Sequence, residues 1–390
     1  ETDYRDRMEK EVVPFLKKHR HSGFFCPDNG QDKIYYESYR REDAKGVIAM
    51  VHGFSESAEK YVEMIYYFFQ AGYQVYIMDQ RGHGRSARGQ EDLSLVHIDR
   101  FEQYLSDLDY LAAEVADRED KGLPRYLYAH SMGGGIGAAF MEWHPSVFEG
   151  AVLSSPMIRP LTGGIPLGIA RGIAEIQVML GKGATYVPGH HAYRGDETFE
   201  TSAATSAERY EYYAGKRRSQ PNFQTNGASY SWLREAARMS KYILNKENCG
   251  KIVGKVLVFQ AEQEDYVDKE AQEIFTGQVK SARMVPMPGT KHEIYMSDDS
   301  HMRVYVEEIL DCLEEGVGAG EIEKFRKEPR RIWEYVREQV GYDEKYDYSA
   351  LLSTPVNTLK IKLGSPLSRK ILCTAICRTL GVPARLNQAT

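Results

Sequence analysis

The sequence predicts an α/β protein: a mostly parallel, doubly wound sheet, an inserted group of helices and a C-terminal helical appendage. Two observations carry the core of this reading. Short apolar runs alternate with helix-sized segments through the first 155 residues, and that alternation requires right-handed crossovers that lay parallel strands together under helices on both faces. The alternation then stops for about a hundred residues before a strand pattern returns at 255–260. A gap of that length exceeds an ordinary connection and predicts an inserted subdomain.

In chain order, the apolar runs at 33–39, 46–51, 74–78, 125–128 and 150–153 are predicted strands, with helices over 59–70 and 101–117 between them. Within the insertion, Ile165, Ile169, Ile173, Ile176 and Leu180 recur at helical spacing, with Arg171 and Glu175 off that face. The stripe is expected to pack on the sheet domain, to line a substrate cleft, or to do both. A strand at 282–287 and a helix at 299–314 complete the alternation, and Gly316-Val317-Gly318-Ala319-Gly320 reads as a linker. The predicted organisation is a core of 1–156 and 248–315, a helical cap of 157–247, a linker of 316–331 and a distinct segment of 332–390.

The chain has 390 residues, 27% charged and 42% hydrophobic, which is the composition of a globular protein. A net charge of -6 argues against a nucleic-acid surface, which needs a basic footprint. The five cysteines, Cys26, Cys249, Cys312, Cys373 and Cys377, are odd in number and mostly scattered, so reduced thiols and a cytoplasmic setting are expected. The first residue is Glu1, not methionine, which suggests trimming, and the charged start has no signal-like apolar stretch. No run approaches the length of a membrane span, and peripheral membrane contact stays open.

Residues 126–137, Tyr-Leu-Tyr-Ala-His-Ser-Met-Gly-Gly-Gly-Ile-Gly, run from an apolar strand through a serine into a glycine-rich helix start. A sharp strand-to-helix turn of this kind lifts one hydroxyl, here that of Ser131, above the sheet edge. Gly133 occupies the place two beyond the serine, while Ala129 stands where G-x-S-x-G has its first glycine. A serine hydroxyl needs a base to take its proton and a third group to hold that base. With such an elbow the order along the chain is serine, acid, histidine. Of the eleven histidines, His292 alone combines that order with a loop directly after a late strand.

Glu264, Asp265 and Asp268 all follow the strand at 255–260. Glu264 alone has the offset to Val267 of the common G-x-x-D-x-x-V loop; Asp265 is the runner-up. An oxyanion hole needs two backbone N–H groups, expected from Met132 and, on the loop His52-Gly53-Phe54-Ser55-Glu56, from Phe54. Asp79-Gln80-Arg81-Gly82-His83-Gly84-Arg85-Ser86 lacks both nucleotide-loop signatures and reads as a tight structural turn. His190-His191 and the pair His19 and His21 lack a four-ligand context and read as surface histidines, so no metal and no cofactor is expected.

Together, His52-Gly53-Phe54, residues 79–86, Ala129-His130-Ser131-Met132-Gly133-Gly134, Gln260-Ala261-Glu262-Gln263-Glu264 and Lys291-His292-Glu293-Ile294 resemble the monoglyceride lipase and lysophospholipase branch of the α/β-hydrolases, the serine aminopeptidase S33 type. Gly227-Ala228-Ser229-Tyr230-Ser231-Trp232-Leu233-Arg234-Glu235 in the cap is also similar. The resemblance covers about residues 20–315 and implies an α/β-hydrolase fold. It also implies cleavage of a single acyl ester of a monoacylglycerol or lysophospholipid, with glutamate as the acid in some bacterial relatives. The family includes peptidases and general esterases, which stay open, as does a non-catalytic scaffold. Oligomeric state is not readable. Leu363-Gly364-Ser365-Pro366-Leu367 through Gly381-Val382-Pro383-Ala384-Arg385 is similar to the core helix of transglutaminase-like domains. That family's cysteine position falls on Pro366, and the strands for its histidine and aspartate are absent, so an inactive or truncated segment is expected.

Overall fold

Strand β3 (Gly46–Val51) is buried along its whole length, as a central strand with helices on both faces must be. In the computed structural model, which describes residues 3–27, 31–112, 122–314, 329, 331–339 and 366–379, it lies mid-sheet. Around it are β1 (Arg20–Phe25), β2 (Ile34–Tyr39), β4 (Tyr73–Met78), β6 (Arg125–His130), β7 (Gly150–Ser154), β9 (Lys255–Gln263) and β10 (Ala282–Lys291). The eight strands run β1-β2-β4-β3-β6-β7-β9-β10, with β1–β2 and β2–β4 antiparallel and all other pairs parallel. This is the α/β-hydrolase architecture that the sequence predicts.

The chain steps from β3 outward to β4, then returns past β3 to β6 on the other side. Ligands on open α/β sheets bind at the carboxyl ends of strands where the order reverses in this way. Val51 pairs with Ala129 there, which brings the loop after β3 beside the end of β6. Helices α1 (Val62–Gln70), α2 (Glu102–Asp109) and α3 (Met132–Trp143) cover the sheet. One core cluster, with Leu127, Ile136, Phe140 and Leu153, lies on one side; the other holds Ile48, Phe68, Tyr128 and Phe259.

Several boundaries differ from the sequence reading. The helix expected over 59–70 begins as a 3-10 turn, Ala58–Tyr61. Of the helix expected over 101–117, residues 102–109 are α-helix, and the stretch from 113 lies outside the described residues. Edge strand β1 was not expected, because Arg-His-Ser-Gly-Phe-Phe shows little alternation and takes its register from β2. Strands β9 and β10 each run beyond the apolar stretch. Pro286, Pro288 and Gly289 look like strand breakers, but β10 is an edge strand with a register shift between Met287 and Lys291, where proline is tolerated.

The insertion leaves after β7 and returns at β9. It holds α4 (Leu167–Met179), α5 (Ala207–Ser219) and α6 (Tyr230–Ile243). A two-stranded parallel pair, β5 (Leu95–Val96) with β8 (Gly227–Ala228), fastens it to the core. The apolar stripe of α4 corrects the expectation made for it. Ile169, Ile176 and Leu180 are 58%, 57% and 65% exposed, so they neither pack on the sheet domain nor line the cleft. The buried residues of α4 are Ala170 and Ala174; small side chains let helices approach closely, and here α4 lies against α6. After β9, α7 (Lys269–Gln278) leads to β10, and α8 (Asp299–Glu314) ends the alternation.

The chain forms two compact units, Glu1–Leu313 and Glu314–Thr390. In the second unit, α9 (Arg331–Gln339) and α10 (Pro366–Thr379) pack through Ile332 with Cys377 and Val336 with Leu372. Pro366 is the first residue of α10, where its fixed φ and missing N–H cost nothing. The predicted linker at 316–320 lies outside the described residues, as do the two ends of the transglutaminase-like motif, 363–365 and 380–385. None of the five cysteines is joined in a disulfide.

Glycine at 133 is dictated by approach distance: a Cβ there would lie 2.3 Å from the Val51 carbonyl oxygen and 2.6 Å from that of His52. Gly133→Ala is therefore expected to destabilise the protein by roughly 1–3 kcal/mol. Gly215→Ala, in open space on α5, should instead stabilise it by about 0.5–1 kcal/mol. Urea unfolding midpoints of the two variants check both signs.

Candidate active site

The turn at the end of β6 is strained at Ser131, whose φ is 52° and ψ −118°. A positive φ on a residue with a Cβ persists only where the surroundings over-determine it. Here the Ser131 N–H donates to the Ser154 carbonyl (3.0 Å), and its own carbonyl accepts from Gly135 N–H (3.0 Å) and Met157 N–H (2.8 Å). Ala129, the departure from G-x-S-x-G, is accommodated because Gly137 faces it: a Cβ at 137 would stand 3.3 Å from the Ala129 Cβ.

The structure brings three of the predicted residues into one hydrogen-bonded chain. His292 Nε2 lies 2.8 Å from Ser131 Oγ, and His292 Nδ1 lies 2.7 Å from Glu264 Oε2. The cause is in the sheet. Lys291 pairs with Gln263 across β10 and β9, so the next residue on each strand, His292 and Glu264, emerges at the same edge. The remaining Glu264 oxygen accepts from Tyr266 N–H (2.9 Å) and Val267 N–H (3.3 Å), which fixes the carboxylate. A carboxylate only accepts, so Nδ1 carries the proton and Nε2 faces the serine as acceptor.

The other acids go elsewhere. Asp265 is exposed and lines the cavity, whereas Asp268 caps α7 through Glu270 N–H (2.9 Å) and Ala271 N–H (3.3 Å) and meets Arg159 (2.8 Å). Met132 is the first residue of α3 and Phe54 lies on the loop beside Ser131. Neither backbone N–H finds an acceptor among the described residues. A Cβ on Gly53 would lie 3.1 Å from the Ser131 Cβ, so glycine there is what allows the loop to approach.

The segment 79–86 is a tight turn held by Asp79, which accepts from Ala58 N–H (2.7 Å) and Arg85 N–H (2.8 Å). His52 joins it to the loop: Gln80 N–H donates to Nε2 (2.8 Å), and Nδ1 donates to the Gly53 carbonyl (2.8 Å). His130 is buried beside His292, ring centroids 4.9 Å apart. Burial lowers its pKa to about 3 against the pull of Glu56, so it is neutral near pH 7.

Sequence reasoning gave no role to Glu56, Lys60, Glu293 or Tyr295, which form a largely buried polar cluster beside the site, with Glu56, Lys60 and Glu293 reaching the cavity wall. Glu56 accepts from Gly53 N–H (2.6 Å), Tyr61 (2.6 Å), Tyr295 (2.5 Å) and Lys60 (3.1 Å), and Lys60 also reaches Glu293 (2.5 Å). Burial alone would raise the Glu56 carboxyl, but Lys60, His130 and the two tyrosine hydroxyls outweigh it and hold it far below the usual range. The available signal was adjacency: Glu56 lies three residues after Gly53, Glu293 directly follows His292, and Tyr295 lies three residues after it.

Above Ser131 is a cavity of about 510 Å³, within the usual size for small-ligand pockets. Phe54, Met157, Leu161 and Trp232 give it an apolar part, and Thr198, Ser202 and Asn226 a polar one. His190 and His191, expected as surface residues only, also line it. Among the described residues no group of three or more His, Cys, Asp or Glu is placed to hold a metal ion.

Comparison with known proteins finds relatives for both parts of the chain. Residues 313–388 match the transglutaminase-like superfamily. Lysophospholipase L2 of Escherichia coli (strain K12) is 30% identical over 291 residues, covering 71% of this chain and 83% of that one. Monoacylglycerol lipase of Mycolicibacterium smegmatis is 33% identical over 160 residues, 41% of this chain and 53% of that one. A soluble variant of monoglyceride lipase from Saccharomyces cerevisiae shares the fold, with a TM-score of 0.60 at 17% identity over 75% of this chain and 94% of that one. Residues 42–299 match the family described as serine aminopeptidase, S33, and the chain belongs to that family of α/β-hydrolases.

Proposed function

We propose that the chain is a serine ester hydrolase that removes the acyl group of a monoacylglycerol or lysophospholipid through an acyl-enzyme. The observation that carries this reading is the chain Glu264–His292–Ser131, joined at 2.7 and 2.8 Å beneath a cavity with apolar and polar parts. Names among the relatives, a lysophospholipase and a monoacylglycerol lipase, support the substrate class.

Ser131 Oγ attacks the ester carbonyl carbon as His292 Nε2 takes the hydroxyl proton. The carbonyl electron pair moves to oxygen, which sits on the Phe54 and Met132 amides. On collapse the carbon–oxygen bond to the alcohol breaks, and His292 returns the proton to the leaving oxygen. Water then attacks the acyl-enzyme with its proton passing to His292, and the fatty acid leaves as Ser131 is reprotonated. Glu264 holds the ring in the working tautomer and faces the imidazolium as it forms.

Peptide cleavage from a free N-terminus would call for an unneutralised acid in the cavity. Of its carboxylates, Glu56, Glu197 and Glu293 are paired with Lys60 or Arg217, which leaves the exposed Asp265 for that part. The apolar lining of Phe54, Met157, Leu161 and Trp232 instead supports an acyl ester. The exposed stripe of α4 fits the same reading. It continues from Leu161, which lines the cavity and is 48% exposed, toward Ile165, Ile169, Ile173 and Ile176, so a bilayer holding the substrate could meet this face.

Ser131→Ala is expected to reduce hydrolysis of medium-chain acyl esters by roughly 10⁴-fold or more and to end labelling by a fluorophosphonate, with the circular dichroism spectrum unchanged. Wild-type activity in that variant would sink the assignment, and a native protein inert to the probe would favour a binding scaffold. Glu264→Gln should cost about 10³–10⁴-fold in kcat, while Asp265→Asn stays within a few-fold; the reverse order would move the acid by one residue. The triple change Ile169→Ser, Ile173→Ser, Ile176→Ser should lower flotation with phosphatidylcholine vesicles and hydrolysis of vesicle-held substrate about tenfold. Hydrolysis of p-nitrophenyl acetate should not change.

A further inference from the structure

We propose that Glu56 is a positioning residue for this site, one buried carboxylate that fixes the Phe54 amide and the His292 loop relative to each other. The proposal rests on the roles given above to Ser131, His292 and the Phe54 and Met132 amides. Glu56 is 5% exposed, and its two oxygens gather groups from three separate stretches of chain. From the loop after β3 comes the Gly53 N–H, on Oε2 at 2.6 Å. The turn that opens α1 supplies the Tyr61 hydroxyl, also on Oε2 (2.6 Å), and the Lys60 ammonium, on Oε1 (3.1 Å). The segment after His292 supplies the Tyr295 hydroxyl, on Oε1 at 2.5 Å.

Each contact bears on a reacting group. The Gly53 N–H bond fixes the His52–Gly53 peptide, and the Gly53 carbonyl, which shares the next peptide with the Phe54 N–H, is held by His52 Nδ1 at 2.8 Å, so the two bonds together set where that N–H points. A Cβ on Gly53 would lie 2.7 Å from Glu56 Oε2 and 3.1 Å from the Ser131 Cβ, so the loop is held between the carboxylate and the serine with no slack. On the other side, Tyr295 packs on the His130 ring at 5.0 Å, and His130 on His292 at 4.9 Å. Lys60 adds a second tie by reaching Glu293, the neighbour of His292, at 2.5 Å. The oxyanion donor and the base are thus set against one anchor that touches neither reacting atom. A one-ångström error at such a distance is enough to cost about 100-fold in rate.

Full-length Glu56→Gln and Tyr295→Phe proteins provide the test. Glutamine keeps the size but turns one acceptor into a donor; phenylalanine removes a single hydrogen bond. Both are assayed on a p-nitrophenyl acyl ester, which has no glycerol to contact, and titrated with an alkyl trifluoromethyl ketone. The ketone carbon bonds to Ser131 Oγ, the hydroxyl proton passes to His292, and the alkoxide occupies the oxyanion position. Glu56→Gln should lower kcat about 100-fold with KM within threefold, and weaken the ketone by the same factor. Tyr295→Phe should show the same pattern at about tenfold, and it decides the matter alone if Glu56→Gln does not fold. Folded variants with full kcat, or with lowered kcat but unchanged ketone affinity, would overturn the proposal. So would a loss confined to monoacylglycerol or lysophospholipid substrates, which would make Glu56 a contact for the leaving alcohol. Wild-type activity in Ser131→Ala would instead remove the reading on which the proposal stands.

Discussion

The constraint from which the site follows is the approach of helix α3 to the end of strand β3. At Gly133 the helix lies so close to the Val51 and His52 carbonyls that a methyl group would overlap them. That approach is possible only if the chain reverses between β6 and α3 within one residue, and Ser131 takes the strained φ of 52° that achieves it. The same turn lifts the serine side chain to the switch point of the sheet, where the loop after β3 arrives from the neighbouring strand. Strain, close packing and the position of the serine are therefore one feature viewed at three scales.

How much of this the sequence discloses depends on whether a residue's role is local. Strand β3 and helix α8 lie where the apolar pattern puts them, at Gly46–Val51 and Asp299–Glu314, because both patterns are decided within the segment. Ser131, Glu264 and His292 were readable because each directly follows a strand. Strands β9 and β10, which run three and four residues beyond the expected 255–260 and 282–287, show the limit. Their last residues are polar or proline-containing and are held by pairing with each other, information that no single segment carries. The stripe on α4 was misread for a related reason. Periodicity locates an apolar face but not its partner, and the partner chosen was the alanine face, through which α4 meets α6.

The insertion illustrates how one element can be tied and exposed at once. Pairing of β5 with β8 and the burial of Trp232, Ala236, Met239 and Ile243 hold α6 to the core. Helix α4 is held mainly through α6 and through two alanines, so it buries little apolar area of its own while presenting large side chains to solvent. In a protein acting only on dissolved small molecules that face would be an aggregation liability. On the proposed reading it is the side from which a lipid reaches the cavity.

Two buried carboxylates stand near His292, and their partners separate their uses. Glu56 has Lys60 against it, so its charge is compensated before any reaction begins, and its bonds hold the same loops in every state of the site. Glu264 accepts from two backbone N–H groups and the His292 ring, with no Lys or Arg partner among the described residues. On the proposed mechanism its interaction with the ring strengthens only when the imidazole becomes imidazolium, and an interaction that grows toward the transition state lowers the barrier. Placing Lys60 on Glu264 instead would spend that interaction in the ground state. Leaving Glu56 without Lys60 would put an uncompensated buried anion close to the developing oxyanion and oppose it. The division of partners between the two acids is thus what permits both to be buried within one small site.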